Sequence, residues 1–255
     1  MRNLMWTSCA LVALLVAPIS ASGQSPEERI AAREVVRQRA DAVVTVMATI
    51  KLHVTVNGTE QQATEQPAQA NATILDASGL AVTSLSMLKP DEGLERRIVS
   101  QTRPGTKAEV RSEVIDLRMR LADGREVPVR QVLNDTDLDL AFLRPIEPVT
   151  SPMTSVDAPT FKPAVLDLLV ALQRAQESAG WQSAAAFTFV QLVIDKPRTY
   201  YLVSSAPSPG SPVFDPSGRF VGITVLRSTG ARGAGSFAVL PADDVRDVAK
   251  QATEK

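Results

Sequence analysis

The sequence predicts a mainly β protein, two antiparallel barrels or sandwiches with a helix at each end. Three observations lead there. Apolar residues recur with a period of two over long stretches, and turn signals punctuate them at short intervals. Of the 255 residues, 44% are hydrophobic and only 4% aromatic, which suits an aliphatic core spread over one or two compact domains. Twenty-seven basic residues against 28 acidic ones leave a formal charge of -1, so composition makes no electrostatic case for nucleic acid or an anionic membrane.

Residues 1–23 read as a secretory signal, with Arg2 ahead of an apolar run from Cys9 to Ala17 and then small residues. The run is too short to span a bilayer comfortably, so cleavage after Ala21 or Gly23 is expected, with no stable membrane span afterwards. The only cysteine, Cys9, lies in that run; a mature chain has no thiol for disulfides, nucleophiles or metal sites.

The segment 24–41 predicts a helix. Ser25, Pro26 and Glu28 match an N-cap, a first-turn proline and a capping-box acid, giving a span from about Pro26 to Ala40. Residues 42–150 predict the first β unit. Val44, Val46, Ala48, Ile50, Leu52, Val54 and Val56 share one face of a long strand. "NGTEQQATEQPAQAN" lacks large apolar residues and reads as a mobile connection, whereas "ATILDASGLAVTS" reads as a hairpin around Asp76 to Gly79. A second hairpin turns at Asp123-Gly124, its first strand alternating Ile115, Leu117, Met119 and Leu121 with charged residues. Residues 89–113 are polar without steady period and read as an inserted surface loop.

The proline-rich 144–163 reads as a linker, so residues 151–255 form the second β unit. "VLDLLVAL" reads as a strand, although composition alone also allows a helix; "FTFVQLVI" and "TYYLVSS" follow around the turn "DKPR". "PVFDPSGRFVGITVL" is a hairpin, and "SFAVLPADDVRDVAKQ" a strand leading through Pro241 into a terminal helix.

Four segments in order, "ATILDASGLAVTSLSML", "LADGREVPVRQVLNDTDLDLAFLRP", "PGSPVFDPSGRFVGI" and "SFAVLPADDVRDV", give the chain its resemblance to a known family. It resembles the trypsin-like serine proteases of the bacterial HtrA (DegP-like) type. The resemblance implies a trypsin/chymotrypsin-like double β-barrel. Relatives usually carry a PDZ domain after the protease domain; with the sequence ending at Lys255, that module is expected to be absent.

In such proteases a Ser attacks the peptide carbonyl, a His takes its proton, an Asp orients the His, and backbone N–H groups hold the oxyanion. The segment "TSLSML" puts Ser86 at the histidine position, and serine is no base near neutral pH. "DTDLDLAFL" puts the orienting acid at Asp139, with Asp135 upstream; the alternative for Asp139 is a structural carboxylate accepting local hydrogen bonds. Anchoring on Pro212 places Pro209 at the nucleophile, which removes both the hydroxyl and one oxyanion N–H, while Pro207 replaces a family glycine.

The cleft loop Pro207, Ser208, Gly210 and Ser211 remains the candidate binding segment. A register shift makes Ser208 or Ser211 a fallback nucleophile, Ser86 is a third, and a dyad with Lys89 or Lys196 would need a lysine of lowered pKa. The sole histidine, His53, falls on the polar face of the first strand. Asn57-Gly58-Thr59 and Asn71-Ala72-Thr73 fit a glycosylation pattern but read more simply as turns. No cofactor and no metal site is expected. These readings converge on an exported bacterial pseudoprotease, periplasmic or secreted, that binds a polypeptide or envelope partner. The alternatives are an unconventional serine endopeptidase and a scaffold or assembly subunit; a homo-oligomer stays open.

Overall fold

A single step along a strand decides which core a side chain joins. The computed structural model describes residues 24–227 and 235–253, so the expected signal segment lies outside the described residues. The chain starts with α1 (Pro26–Arg39), β1 (Val43–Val56), β2 (Thr59–Glu60), β3 (Thr64–Ile74) and β4 (Ala81–Ser84). Next come α2 (Leu85–Leu88), α3 (Asp91–Gln101), β5 (Ala108–Arg120), β6 (Glu126–Asp135) and β7 (Leu140–Pro145). The second half holds β8 (Leu168–Arg174), β9 (Ser183–Ile194), β10 (Tyr200–Val203), β11 (Pro212–Phe214), β12 (Phe220–Arg227), β13 (Ser236–Pro241) and α4 (Ala242–Thr253). Strands β1-β3-β4-β7-β6-β5 close on themselves through a β1–β5 pairing, and β10-β13-β12-β11-β8-β9 close a second antiparallel barrel. The expected double barrel with a helix at either end is the fold observed.

On β1, Val44, Val46, Ala48, Ile50 and Leu52 fill the first barrel, joined from β7 by Ala141 and Leu143. The intervening Leu140 and Phe142 face the other way, into a cluster shared between the barrels with Leu172, Phe214, Phe220 and Val225. On β8 the same alternation sends Leu169 and Ala171 into the second barrel and Val170 and Leu172 into the shared layer. Strands buried on both faces read as continuous apolar runs, which is why "VLDLLVAL" left helix and strand undecided. Phe142, Phe214 and Phe220 are wholly buried, each contributing about 1.5–3 kcal/mol of transfer free energy.

Helix α1 carries the expected capping box: the Glu28 N–H donates to Ser25 Oγ at 3.1 Å and the Ser25 N–H to Glu28 Oε2 at 2.7 Å. It ends at Arg39 and buries Ala32 and Val35. At the other end, α4 holds the linker down, since Arg246 donates to the Ala158 carbonyl at 2.5 Å.

Two expected irregular segments are ordered elements. The polar stretch after Asn57 is not a mobile connection: β2 and β3 occupy it, and β3 pairs with β1 from Thr64↔Leu52 to Thr73↔Val43. A ladder satisfies main-chain groups whatever the side chains, and the half of β3 up to Gln69 lies mostly exposed, so no apolar alternation marks it. Residues 89–113 are likewise not a loop but α3 and the first half of β5. Only Leu94 and Ile98, one turn apart, press on the first core, and Glu95 accepts the Val110 N–H at 2.9 Å where the strand begins. A helix held by one narrow stripe gives a weak periodic signal. Along β5 the expected alternation holds for Leu117 and Met119, but a bulge opposite Thr49 and Ile50 displaces Ile115, which is 46% exposed.

Candidate functional site

The turn between β6 and β7 aims Asp139 at the seam of the two barrels. Asp135 Oδ1 accepts the N–H groups of Asp137 and Leu138, both at 3.0 Å, winding the chain so that Asp139 sits at φ +57°. Aspartate tolerates this left-handed conformation better than most residues. Its side chain then meets donors from both barrels. Oδ1 accepts the Ser86 N–H at 2.7 Å, and Oδ2 accepts the Leu226 N–H at 2.7 Å and the Ser84 hydroxyl. The Ser86 hydroxyl lies 3.4 Å from Oδ2 and 2.9 Å from Ser84 Oγ. Asp139 therefore ties the first turn of α2 to β12. Burial pushes its carboxyl above the usual carboxylate range, and the hydrogen bonds from Ser84, Leu226 and Ser86 only partly offset that.

The loop 207–211 closes the same seam further along. Gly210 has φ +83°, donates its N–H to the Thr224 carbonyl at 2.7 Å and accepts the Thr73 hydroxyl at 2.8 Å. It touches the first barrel so closely that a Cβ would lie 1.9 Å from the Asn71 carbonyl oxygen. Pro207 is buried and Pro209 half-buried. Ser208 is exposed, and both its N–H and its hydroxyl donate to Gln173 Oε1 at 3.1 Å. Ser211 is wholly buried, its hydroxyl without a hydrogen-bond partner among the described residues.

A third tie runs through Arg174 at the end of β8. Its N–H donates to Asn71 Oδ1 at 2.9 Å, and its guanidinium to the carbonyls of Val43 at 2.8 Å and Ala40 at 3.0 Å. Asn71 is buried within β3 and not in a turn, and Asn57 Oδ1 accepts the Lys107 N–H, so both asparagines of the glycosylation pattern are structural partners.

The structure thus gathers Ser86 and Asp139 into one cluster and Pro207, Ser208, Gly210 and Ser211 into another, with no hydrogen bond joining the two among the described residues. His53 stays on β1 beside Glu60, 3.8 Å away. Lys89 lies 4.0 Å from Asp91, and Lys196 is exposed in the turn before β10. Among the described residues no group of three or more His, Cys, Asp or Glu could hold a metal ion, and no helix is long and apolar enough to cross a membrane. Sequence reasoning missed Ser84, Thr73, Thr83, Gln173 and Arg174. Threonines embedded in apolar runs, as in "ATILDASGLAVTS", were the available signal for two of them, since a buried hydroxyl needs a partner. Gln173 and Arg174 carry no such local mark.

Two closed antiparallel barrels with this cluster at their seam define the trypsin-like class of fold. The sequence profile of the trypsin-like peptidase domain matches residues 70–223, more than half of the chain, and the chain belongs to that family. Among solved structures it is similar to the HtrA-type protease AlgW with a tripeptide, at 17% identity and a TM-score of 0.54. The match covers 86% of this chain and 62% of AlgW, so the chain spans less than two thirds of that protein, and the likeness is one of fold. No curated protein matches.

Proposed function

We propose that the chain is an exported trypsin-like domain that holds an extended polypeptide without cutting it. The observation that carries this reading is the engagement of Asp139. Both of its oxygens accept main-chain N–H groups, from Ser86 and Leu226, so the carboxylate serves the seam and has no imidazole to orient. With Pro209 at the nucleophile position, the attacking hydroxyl and one oxyanion donor go together. The exposed Ser208 hydroxyl donates to an amide oxygen, which is no base at neutral pH. Export rests on the signal-like residues 1–23.

A polypeptide needs no triad to dock as an added strand. The outer edge of β3 offers the place. β1 covers one side of β3 throughout, while β4 pairs only with Thr73 and Ile74 on the other. The Thr83 hydroxyl reaches the Asn71 carbonyl from that outer side at 2.6 Å, so the odd-numbered residues turn their main-chain groups outward. Glu65 and Gln69 then present an N–H and a C=O each, and Pro67 a C=O alone. The edge runs up to the 207–211 loop where Gly210 meets Asn71.

The test uses the purified protein with a fluorophosphonate probe and, separately, with reduced carboxymethylated lactalbumin as an unfolded polypeptide. The expected result is saturable binding, no covalent label and an intact lactalbumin chain, with binding weakened by Gln69→Pro, which deletes one edge donor. Stable labelling or cleavage would overturn the non-catalytic half of the reading. Absence of lactalbumin binding would overturn the other half.

A further inference from the structure

We infer that the groove between α1 and the β8–β9 ribbon is a binding site for an aliphatic carboxylate. The groove has a volume of about 250 Å³ and its walls are hydrocarbon: Ala32 and Val36 from α1, Val170 from β8, and Ala185, Ala186 and Phe187 from β9. A short side chain on β9 keeps it open, because Ala185, on the face that Val170, Leu172 and Phe187 share, stays exposed where a larger residue would close against the helix. That is somewhat below the roughly 300–1,000 Å³ of drug-sized sites and fits a narrow chain. None of these residues belongs to the Asp139 cluster or to the 207–211 loop, and the inference stands apart from the proposed function.

Charge selects the ligand. Arg29 and Arg33 line the groove one helical turn apart, and Arg37 continues the ladder. Like charges at this spacing repel and destabilise a helix. Arg37 is neutralised by Glu34, whose carboxyl is held near a pKa of about 2 by bonds from Arg37 and Gln38. Glu28 is occupied with the Ser25 N–H. Arg29 and Arg33 have no ion-pair partner among the described residues, so α1 keeps two repelling cations beside an apolar trough. A carboxylate answers both features, since guanidinium groups bind carboxylates through paired, charge-assisted hydrogen bonds while the alkyl chain covers the alanine and valine methyls.

Isothermal titration of the purified protein with sodium decanoate tests the assignment. One site is expected. Arg29→Gln with Arg33→Gln should weaken it by about tenfold or more, while Tm holds or rises because repulsion is relieved; lost binding in a stabilised variant cannot be misfolding. Ala185→Phe, which fills the trough from the face that Val170 and Phe187 share, should weaken it similarly. 1-Decanol, with the same chain and no charge, should bind about tenfold more weakly than decanoate. No heat up to about 1 mM decanoate, equal affinity for decanol, or unchanged affinity in Ala185→Phe would each overturn the inference. Binding to phosphatidylglycerol vesicles without binding to monomeric decanoate would overturn it too, by making α1 a membrane contact.

Discussion

Asp139 of the first barrel accepts the main-chain N–H of Leu226 in the second at 2.7 Å, and with its other oxygen holds the N–H of Ser86 at the same distance. One carboxylate thus bridges α2 and β12. Asparagine cannot copy this, because whichever way its amide turns, its NH₂ faces one of the two N–H donors. Asp139→Asn should cost about 1–3 kcal/mol in urea unfolding, even though asparagine suits the positive φ equally well. A variant within about 0.5 kcal/mol of wild type would show that the bridge contributes little.

The pH dependence of that difference has a defined sign. Burial raises the Asp139 carboxyl in the folded state, so the native protein keeps this proton to higher pH than the unfolded chain does. Its contribution is fully present below the unfolded value, about 3.9, and is lost as pH rises through the folded one. Wild-type stability relative to Asp139→Asn should therefore improve as pH falls from neutrality to below about 4. Paired denaturation curves at the two ends of this range decide the matter, and a slope of opposite sign would contradict the burial argument.

Gly210 resists substitution for a steric reason as well as a conformational one. A Cβ there meets the Asn71 carbonyl at 1.9 Å, whereas at Gly105, likewise at positive φ (+89°), it meets nothing within 4 Å. Gly105→Ala should cost only the left-handed strain, about 1–2 kcal/mol. Gly210→Ala should add overpacking and lose roughly 3 kcal/mol or more. Equal Tm values for the two variants would mean that the loop relaxes away from the first barrel freely.

Supplying a hydroxyl at position 209 should not create chemistry. Pro209→Ser adds a hydroxyl, but Ser86 supplies no base and Asp139 is engaged elsewhere, so fluorophosphonate labelling should stay at background. A covalent adduct on that serine would reveal a base outside the Asp139 cluster.

The capping box is independent of the seam. Ser25→Ala should lower stability by about 1 kcal/mol in thermal or urea unfolding without changing any binding at β3. A loss at both would indicate that α1 and the β3 edge move together.

What the residues determined alone is what periodicity and local chemistry encode. The alternation on β1, the Asp123-Gly124 turn, the Ser25/Glu28 cap and the order of four family segments sufficed for a double barrel with helices at its ends. They also sufficed to put Ser86, Asp139 and Pro209 at the positions worth inspecting. The tertiary structure decided the rest, because it depends on partners distant in sequence. Polar β3 is a strand since β1 supplies its ladder, and α3 is a helix since Leu94 and Ile98 find the first core. Asp139 is a bridge since Leu226, 87 positions away, brings an N–H to it. Main-chain donors carry no side-chain signature, so no pattern along the chain could announce which carboxylate would receive them.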